Sequence, residues 1–388
     1  MKFCKKCVMP DTRPGIHFNE EGICQACVNY EKIAETDWDK RYKELEKLCD
    51  KYRGYNGDGW DCAIAASGGK DSHFQVYVMK ELMDMNPVIL MATGFGWTET
   101  GQQNYNNISE SFGCDILNLS INRKANKIMS KKALIELGSP MWYLDAAIYA
   151  YPYKMAMKLG LELLVYGENV NYTYGGSQKE ETPSAIKQFE NDVVKPIDFE
   201  RWLGDGITMK DLEIAQFPKY SDIKKSNLNA IYTSYYVPWD THQNYELAKR
   251  HGFHHLGHEW KREGTIEQYN SIDSCGYLIS QWFKYPKYGH ASATEMASRW
   301  IRAGMMTRDQ AIPLVKKYDK HLDQRILDDY LNFIGMTHKE FWKISDKWYN
   351  PELFHQDRWG VWHEKFDLAE TSNKPVEDLE PNKVVPIP

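Results

Sequence analysis

The sequence predicts an α/β fold with a doubly wound parallel sheet, because short apolar runs alternate with helical patterns between residues 61 and 166. Four apolar runs have the length of buried strands, at residues 62–66, 87–93, 115–119 and 161–166. Between them lie stretches with helical periodicity, at residues 71–83, 100–112, 124–137 and 143–159. Strands that alternate with helices favour βαβ units, and right-handed crossovers would place the helices on both faces of the sheet.

Three further regions flank these βαβ units. Residues 1–30 carry closely spaced cysteines and turn residues, which predict a small metal-binding knuckle. Residues 31–60 are predicted to be a linker built on one charged amphipathic helix. The α/β domain is expected to extend over residues 61–240, with a fifth strand at 231–239. Residues 241–388 are predicted to form a mostly helical region that ends in an extended tail.

Composition and charge limit the classes of function. The formal net charge of −6 provides no positive field for nucleic acid, so no nucleic-acid partner is expected. No apolar run reaches the roughly 18 residues of a membrane span, and the first residues lack the apolar segment of a secretory signal. Eight cysteines in such a chain indicate thiols or metal ligands rather than a disulfide framework. We therefore expect a cytoplasmic protein without a membrane partner.

Two Cys-x-x-Cys pairs, Cys4 with Cys7 and Cys24 with Cys27, are separated by sixteen residues. Four thiolates presented on two turns match the ligand set of a closed structural Zn²⁺ site. An iron–sulfur cluster and free thiols are the alternatives. The remaining cysteines are scattered and are predicted to be buried free thiols: Cys49, Cys62, Cys114 and Cys275.

A six-residue loop follows the first predicted strand and opens the first predicted helix: Ser67, Gly68, Gly69, Lys70, Asp71 and Ser72. Backbone N–H groups at a helix start carry the positive end of the helix dipole, and glycines let a phosphate approach them closely. Lys70 can neutralise a transferring phosphate, and Asp71 can hold Mg²⁺. The loop lacks the Walker A spacing. The alternative is an ordinary glycine turn that caps a helix.

The loop resembles the S-G-G-x-D-S loop of the N-type ATP pyrophosphatases, the PP-loop superfamily with an adenine nucleotide alpha-hydrolase-like fold. Synthetases for GMP, NAD and asparagine and several tRNA thiolases belong to it. The chain is similar to the N-acetyl sugar amidotransferases over about residues 4–318. The similarity lies in the loop, the two cysteine pairs and the segments 167–169, 235–240 and 284–302. Members of that family make acetamidino groups on bacterial surface sugars, such as mannuronic-acid derivatives and pseudaminic acid.

The resemblance implies an ATP-dependent reaction. Enzymes of this superfamily adenylylate a substrate oxygen, release pyrophosphate and let ammonia or sulfur displace AMP, with ATP and Mg²⁺ as cofactors. We expect the nucleotide site to include Thr93, Gly94 and Gly167 besides the loop. The chain shows no glutaminase motif, and the family resemblance implies a separate glutaminase and a barrel-shaped partner, resembling the histidine-pathway pair, that deliver ammonia.

Gly167, Glu168 and Asn169 end the fourth predicted strand, at the edge where open parallel sheets bind ligands. Asn169 is predicted to hold the substrate amide, and Glu168 to accept a proton from incoming ammonia. The alternative is a turn at the strand end with a capping asparagine.

A basic and aromatic segment near residue 290 contains candidate substrate residues: Lys284, Lys287, His290, Thr294 and Arg299. They suit the phosphates of a sugar nucleotide or a carboxylate, and the alternative is a solvated helix face. Relatives commonly have Arg and Asp where this chain has Ser292 and Glu295, so the bidentate anion contact of an arginine is lost there.

Two other functions are compatible with the loop. A tRNA-modifying PP-loop thiolase would also combine it with a zinc knuckle, but that function predicts a basic surface, which the net charge of −6 does not favour. A non-catalytic nucleotide-binding module would not need both Lys70 and Asp71.

Overall fold

A five-stranded parallel sheet forms the centre of the described chain, which in this computed structural model comprises residues 1–178, 180–188 and 199–368. The strands are β1 Cys62–Ala65, β2 Pro87–Thr93, β3 Asp115–Ser120, β4 Leu163–Tyr166 and β5 Asn229–Tyr232. They lie in the order β3-β2-β1-β4-β5. The predicted parallel α/β fold is confirmed.

The α-helices of the described residues are α1 Gln25–Ala34, α2 Trp38–Cys49, α3 Lys70–Tyr77, α4 Glu99–Phe112, α5 Arg123–Leu137, α6 Trp142–Lys158, α7 Val170–Thr173, α8 Met209–Glu213, α9 Tyr220–Lys225, α10 Thr233–Tyr236, α11 Thr241–Arg250, α12 Cys275–Tyr288, α13 Ser292–Arg302, α14 Arg308–Tyr318, α15 Gln324–Ile334 and α16 His338–Ser345. A π-helical stretch, Val78–Leu82, extends α3, and an antiparallel hairpin pairs β6 Phe354–Gln356 with β7 Trp362–Glu364.

Helices cover both faces of the sheet. Successive residues of a strand point to opposite faces, and neighbouring residues of β1 contact different helices. On one face Ile64 packs in a cluster with Phe74 of α3 and Ile108 of α4. On the other face Ala63 packs with Tyr153 of α6. The sheet is therefore doubly wound, as predicted. The largest cluster joins α5 and α6 to the C-terminal helices α12 and α15, which places those helices against the α/β region.

Two predicted elements differ from the structure. The linker is not one helix, because α1 ends at Ala34 and the carboxylate of Asp37 accepts a hydrogen bond from the N–H of Lys40, 3.0 Å away, to start α2. The fifth strand does not reach residue 239. Its ladder ends at Tyr232, and the Thr233 hydroxyl donates to the carbonyl of Tyr166 as the chain turns into α10.

The described helices include none that is both long and apolar enough to cross a bilayer. The predicted extended tail, residues 369–388, lies outside the described residues.

Candidate active site and cysteine centre

The strand order brings two predicted loops together at one edge of the sheet. The order reverses at β1 and β4, which pair with each other and lead to β2 on one side and β5 on the other. In open parallel sheets the crevice at such a reversal, beyond the carboxyl ends of the strands, is where ligands bind. Residues 67–72 follow β1, and residues 167–169 follow β4. The candidate site is therefore this crevice.

Residues 67–72 form a tight loop at the start of α3, which we call the phosphate cradle. The N–H of Ser67 donates to the hydroxyl of Ser72 at 2.9 Å, and the N–H of Gly69 donates to the hydroxyl of Ser67 at 3.4 Å. Gly68 has φ +92°, a left-handed conformation that favours glycine. Gly69 is the N-cap of α3. This geometry suits a phosphate group held at the helix N-terminus.

The side chains of Lys70 and Asp71 are held in a network that crosses from α3 to later elements. Lys70 is 3% exposed, and its Nζ lies 2.6 Å from Oδ2 of Asp71 and 3.2 Å from Oδ1 of Asn270. The other oxygen of Asp71 accepts from the amide of Asn244 at 2.9 Å. Charged groups that are fixed in this way need little reorganisation when charge develops on a substrate.

Glu168 lies close enough to this pair to be affected by both charges. Loss of hydration, and then the negative charge of Asp71, raise the pKa of Glu168, while Lys70 and Arg299 partly offset the rise. Its Oε1 accepts from the hydroxyl of Tyr174 at 3.2 Å, and the guanidinium of Arg299 stacks on the Tyr174 ring at 4.0 Å. A carboxylate with a raised pKa is a better proton acceptor near neutral pH.

Asn169 is the N-cap of α7. Its Oδ1 accepts from the N–H of Tyr172 at 3.3 Å, and its Nδ2 donates to Oε1 of Gln178 at 2.9 Å. The structure therefore shows the capping contact that was the alternative for this residue. Its predicted contact with a substrate amide stays a prediction.

The other predicted nucleotide residues lie at strand ends. Thr93 ends β2, and its hydroxyl donates to the side chain of Asn118. A Cβ on Gly94 would lie 2.7 Å from a methyl of Leu144, and one on Gly167 would lie 2.8 Å from both Gln75 and Trp239. Packing alone thus favours glycine at both positions. The contact of these glycines with ATP stays a prediction.

The predicted substrate residues do not form one group. Lys284 lies 2.7 Å from the carboxylate of Glu295, and His290 is buried 3.9 Å from the same oxygen. Burial opposes ionisation of Glu295, but Lys284 and His290 lower its pKa to about 2. Arg299 is the member that reaches toward Asp71 and Tyr174.

Lys287 and Thr294 have partners of their own elsewhere in the fold. The Nζ of Lys287 donates to the carbonyl of Leu137 at 2.9 Å, at the end of α5, and burial lowers its pKa to about 8. The hydroxyl and N–H of Thr294 both donate to the carboxylate of Asp319. These contacts hold helices together.

Two aspartates in this region carry no motif that sequence reasoning could use. The carboxylate of Asp273 would lie 3.9 Å from a Cβ on Gly69, so it faces the phosphate cradle. Loss of hydration raises its pKa to about 7 despite the nearby Lys70. Loss of hydration likewise raises the pKa of Asp145 to about 7, although Tyr277 and Lys284 act in the opposite direction. Only the tertiary fold places these carboxylates here.

The raised pKa of Asp145 predicts a pH-dependent effect of Asp145→Asn. Between the unfolded pKa of about 3.9 and the folded pKa of about 7, the native protein binds a proton that the unfolded chain has lost. Native stability therefore falls as pH rises through this window, by at most about 1.4 kcal/mol per pH unit. The asparagine lacks this loss. The thermal midpoint of the variant minus that of the wild type should rise from pH 5 to pH 8.

Asp309→Asn, at an exposed position of α14, is the control. Its thermal midpoint should differ from that of the wild type by the same amount at pH 5 and at pH 8. A constant difference for Asp145→Asn as well would contradict the prediction.

The cysteine centre brings all four predicted ligands together. The Sγ atoms of Cys4, Cys7, Cys24 and Cys27 lie within 4.8 Å of one another, and all four residues are buried. The sulfur atoms of Cys4 and Cys27 are 3.9 Å apart, and those of Cys7 and Cys24 are 3.7 Å apart. Tetrahedral Zn²⁺ with Zn–S bonds of about 2.3 Å requires sulfur separations of about 3.8 Å. The residues therefore fit Zn²⁺, and the distances exclude disulfides among these pairs.

Two arginines of the C-terminal helices contact this centre. Arg302 of α13 hydrogen-bonds Cys27. The Nε of Arg308, in α14, donates to the carbonyl of Cys7 at 3.0 Å. Four thiolates around one Zn²⁺ carry a net charge of −2, which the two guanidinium groups would offset. A metal here would therefore stabilise the packing of the N-terminal knuckle on α13 and α14.

We expect one zinc ion per chain in protein purified without chelator, because the knuckle has a small core of its own. Cys24→Ser should lose the metal and lower the thermal midpoint. Cys49→Ala should keep full zinc, because Cys49 is buried at the end of α2, outside the cluster. Metal analysis measures both. Substoichiometric zinc with visible iron–sulfur absorption would instead favour the cluster alternative.

Comparison with known proteins matches the C-terminal part of the chain to a family. Residues 263–367 match the model for the C-terminal domain of WbpG-like lipopolysaccharide (LPS) biosynthesis proteins. An uncharacterised protein of Methanocaldococcus jannaschii is 25% identical over 185 residues, 47% of this chain and 64% of that protein. The chain thus spans less than two thirds of that relative's length.

A solved structure is also similar, that of the predicted subunit of a tRNA methyltransferase from Methanocaldococcus jannaschii. It is 16% identical and covers 48% of this chain and 75% of its own, with a TM-score of 0.27. A similarity of this size supports no inference about function. The family match, in contrast, includes α12, α13 and α14, which carry Lys284, Arg299 and Arg308.

Proposed function

We propose that this chain, whose residues 263–367 place it in the WbpG-like family of LPS biosynthesis proteins, is an ATP-dependent amidotransferase. It would convert the acetamido group of a bacterial surface sugar into an acetamidino group, with AMP and pyrophosphate as the other products. The observation that carries the proposal is the arrangement of the phosphate cradle, Lys70 and Asp71 beside Glu168 at the reversal of the sheet.

The chemistry explains why ATP is needed. An acetamide carbon is a poor electrophile, and its oxygen is a poor leaving group. In the first step the amide oxygen attacks the α-phosphorus of ATP, the bond to pyrophosphate breaks, and the amide nitrogen loses its proton. In the second step ammonia adds to the activated carbon, a proton is lost, and AMP leaves with the former amide oxygen. The product is an amidine, and one ATP is consumed.

Each residue of the site has a role in this scheme. The unpaired N–H groups at the start of α3 would bind the phosphates of ATP, and Lys70 would offset the charge that develops on the departing pyrophosphate. Asp71 would hold Mg²⁺, which neutralises phosphate charge when bound. Glu168, with its raised pKa, would accept a proton from the attacking ammonia.

ATP–pyrophosphate exchange with a panel of acceptors tests the proposal. The panel contains N-acetylated sugar nucleotides, CMP-linked nonulosonates and tRNA. Exchange that depends on an N-acetylated sugar, followed by a mass change of −1 Da in that sugar when ammonium is added, is the expected result, since O is replaced by NH. Exchange with tRNA alone would overturn the proposal in favour of a thiolase.

A further inference from the structure

A cavity of about 310 Å³ lies beside the candidate active site, at the carboxyl ends of β4 and β5. Asn169, which follows β4, forms part of its wall, and Tyr232, the last residue of β5, forms another part. Ser184 is an exposed residue of the lining, which places it at the mouth of the cavity, and it pairs with Ile231 of β5 through an isolated bridge. Asn169 directly follows Glu168 in the chain, so the residue next to the proposed proton acceptor contributes one wall of the cavity.

The lining of the cavity is mostly neutral and polar. Four amide side chains contribute to it, from Asn169, Asn171, Gln178 and Gln188. Hydroxyl groups come from Tyr232, Ser184 and a threonine. Among the described lining residues Lys187 carries the one formal charge, and no carboxylate is present. Planar amides and hydroxyls both donate and accept hydrogen bonds, as the hydroxyl and acetamido groups of a sugar require.

Contacts within the wall fix several of these groups before a ligand arrives. The amide of Asn169 donates to Gln178 at 2.9 Å, and Gln178 in turn donates to the carbonyl of Glu180 at 2.7 Å. The hydroxyl of Tyr232 donates to the side-chain oxygen of Gln188. Polar groups that are already oriented lose less entropy when a ligand binds.

The size of the cavity limits the class of ligand. About 310 Å³ is at the lower end of the range of small-molecule pockets, roughly 300–1,000 Å³. That volume accommodates a monosaccharide with its substituents. It does not accommodate a folded nucleic acid.

We propose that this cavity binds the sugar ring of an N-acetylated monosaccharide acceptor and directs its acetamido group toward Glu168. The inference rests on the proposed function for the identity of the acceptor. ATP would occupy the cradle at the start of α3, and the sugar would approach from the side of β5. This division assigns the sugar ring to the amide-rich wall rather than to Lys284, Lys287 and Thr294, which have protein partners.

Ligand-observed NMR with the full chain tests the assignment. The probes are N-acetyl-D-glucosamine, N-acetyl-D-mannosamine and N-acetylneuraminic acid, each compared with its parent sugar without the acetyl group. We expect at least one acetylated probe to bind. Ser184→Trp, which fills the mouth of the cavity, should weaken that binding at least tenfold, and Ser184→Leu should weaken it less. Ser221→Trp, at an exposed position of α9, is the matched control.

A non-hydrolysable ATP analogue should bind all three variants as it binds the wild type, which also shows that they are folded. The inference is overturned if no probe binds, or if Ser184→Trp leaves binding unchanged. Its failure is distinguishable from that of the proposed function. If Ser184→Trp leaves amidine formation unchanged, the assignment of the sugar to this cavity is overturned, while the proposed reaction is not. If the wild type binds the sugar, Ser184→Trp abolishes that binding, and the protein never forms amidine, the sugar site is supported and the proposed reaction is overturned.

Discussion

Lys70→Ala is expected to reduce ATP-dependent pyrophosphate release by about 10²–10³-fold or more while leaving the fold intact, because removal of one preorganised group that stabilises transition-state charge has effects of that size. Lys70 is the first residue of α3, and its ammonium group lies at the cradle between Asp71 and Asn270. Lys70→Met should behave similarly, although it keeps most of the apolar stem. The loss therefore would follow from the charge and not from packing.

Pyrophosphate release under saturating ATP measures the effect, and circular dichroism with a thermal midpoint reports the fold. Lys249→Ala is the control, because Lys249 is a lysine of α11 whose side chain is about half exposed and pairs with Glu246. Near wild-type release by either Lys70 variant would remove Lys70 from the mechanism and with it the main argument for the cradle.

The central strands β1, β2 and β4 could be predicted from the sequence because they are continuous apolar runs. In β2 every residue is buried, so the pattern does not depend on knowing what packs against it. The end of β5 could not be predicted in this way. Residues 235–239 are still aromatic and apolar, but the hydroxyl of Thr233 donates to the carbonyl of Tyr166 on the neighbouring strand, and the chain turns. A contact made only in the folded protein decides that boundary.

Some residues of the candidate site could likewise be predicted from local sequence patterns, and others could not. Residues 67–72 and the four cysteines are local patterns, and their spacing determines their geometry. Asn244, Asn270 and Asp273 lie about 170–200 residues from the loop whose Lys70 and Asp71 they surround. Each is an ordinary polar residue in its own segment. The fold of the C-terminal region brings them to the loop, so no local pattern could identify them.

The basic segment shows the limit of reading charge from a sequence. Lys284 and Lys287 are three residues apart in α12, yet one pairs with Glu295 and the other bonds to the end of α5. Residues three apart on a helix share a face, but the long lysine side chains reach partners on different elements. Neighbouring positive charges therefore did not imply one anion site.

The cysteines also bear on where the ammonia for the proposed reaction comes from, because a glutaminase active site in this chain would need a reactive cysteine. A glutaminase needs an accessible thiol that ionises readily. All eight cysteines are among the described residues and all are buried. Loss of hydration raises the pKa of Cys49 to about 12 and that of Cys114 to about 11, and it also raises the pKa of Cys62. Cys4 belongs to the cysteine centre.

Cys275 comes closest to a glutaminase setting in sequence, since Gly276 follows it, but its surroundings do not suit a nucleophile. Its thiol donates to the carboxylate of Asp329 at 3.2 Å, and burial together with that negative charge raises its pKa. We propose that ammonia is delivered by a separate glutaminase and a barrel-shaped partner, as the family resemblance implies.

We therefore expect the isolated chain to form amidine with high concentrations of ammonium and not with glutamine. Amidine formation measured by mass spectrometry, at fixed ATP and acceptor, compares the two nitrogen sources. The rate with ammonium should increase with pH, because only neutral ammonia is a nucleophile. Cys275→Ala should retain the ammonium-dependent rate if it folds as the wild type does. Efficient use of glutamine by the pure wild-type protein would contradict the prediction, and loss of that use in Cys275→Ala would identify Cys275 as the glutaminase nucleophile.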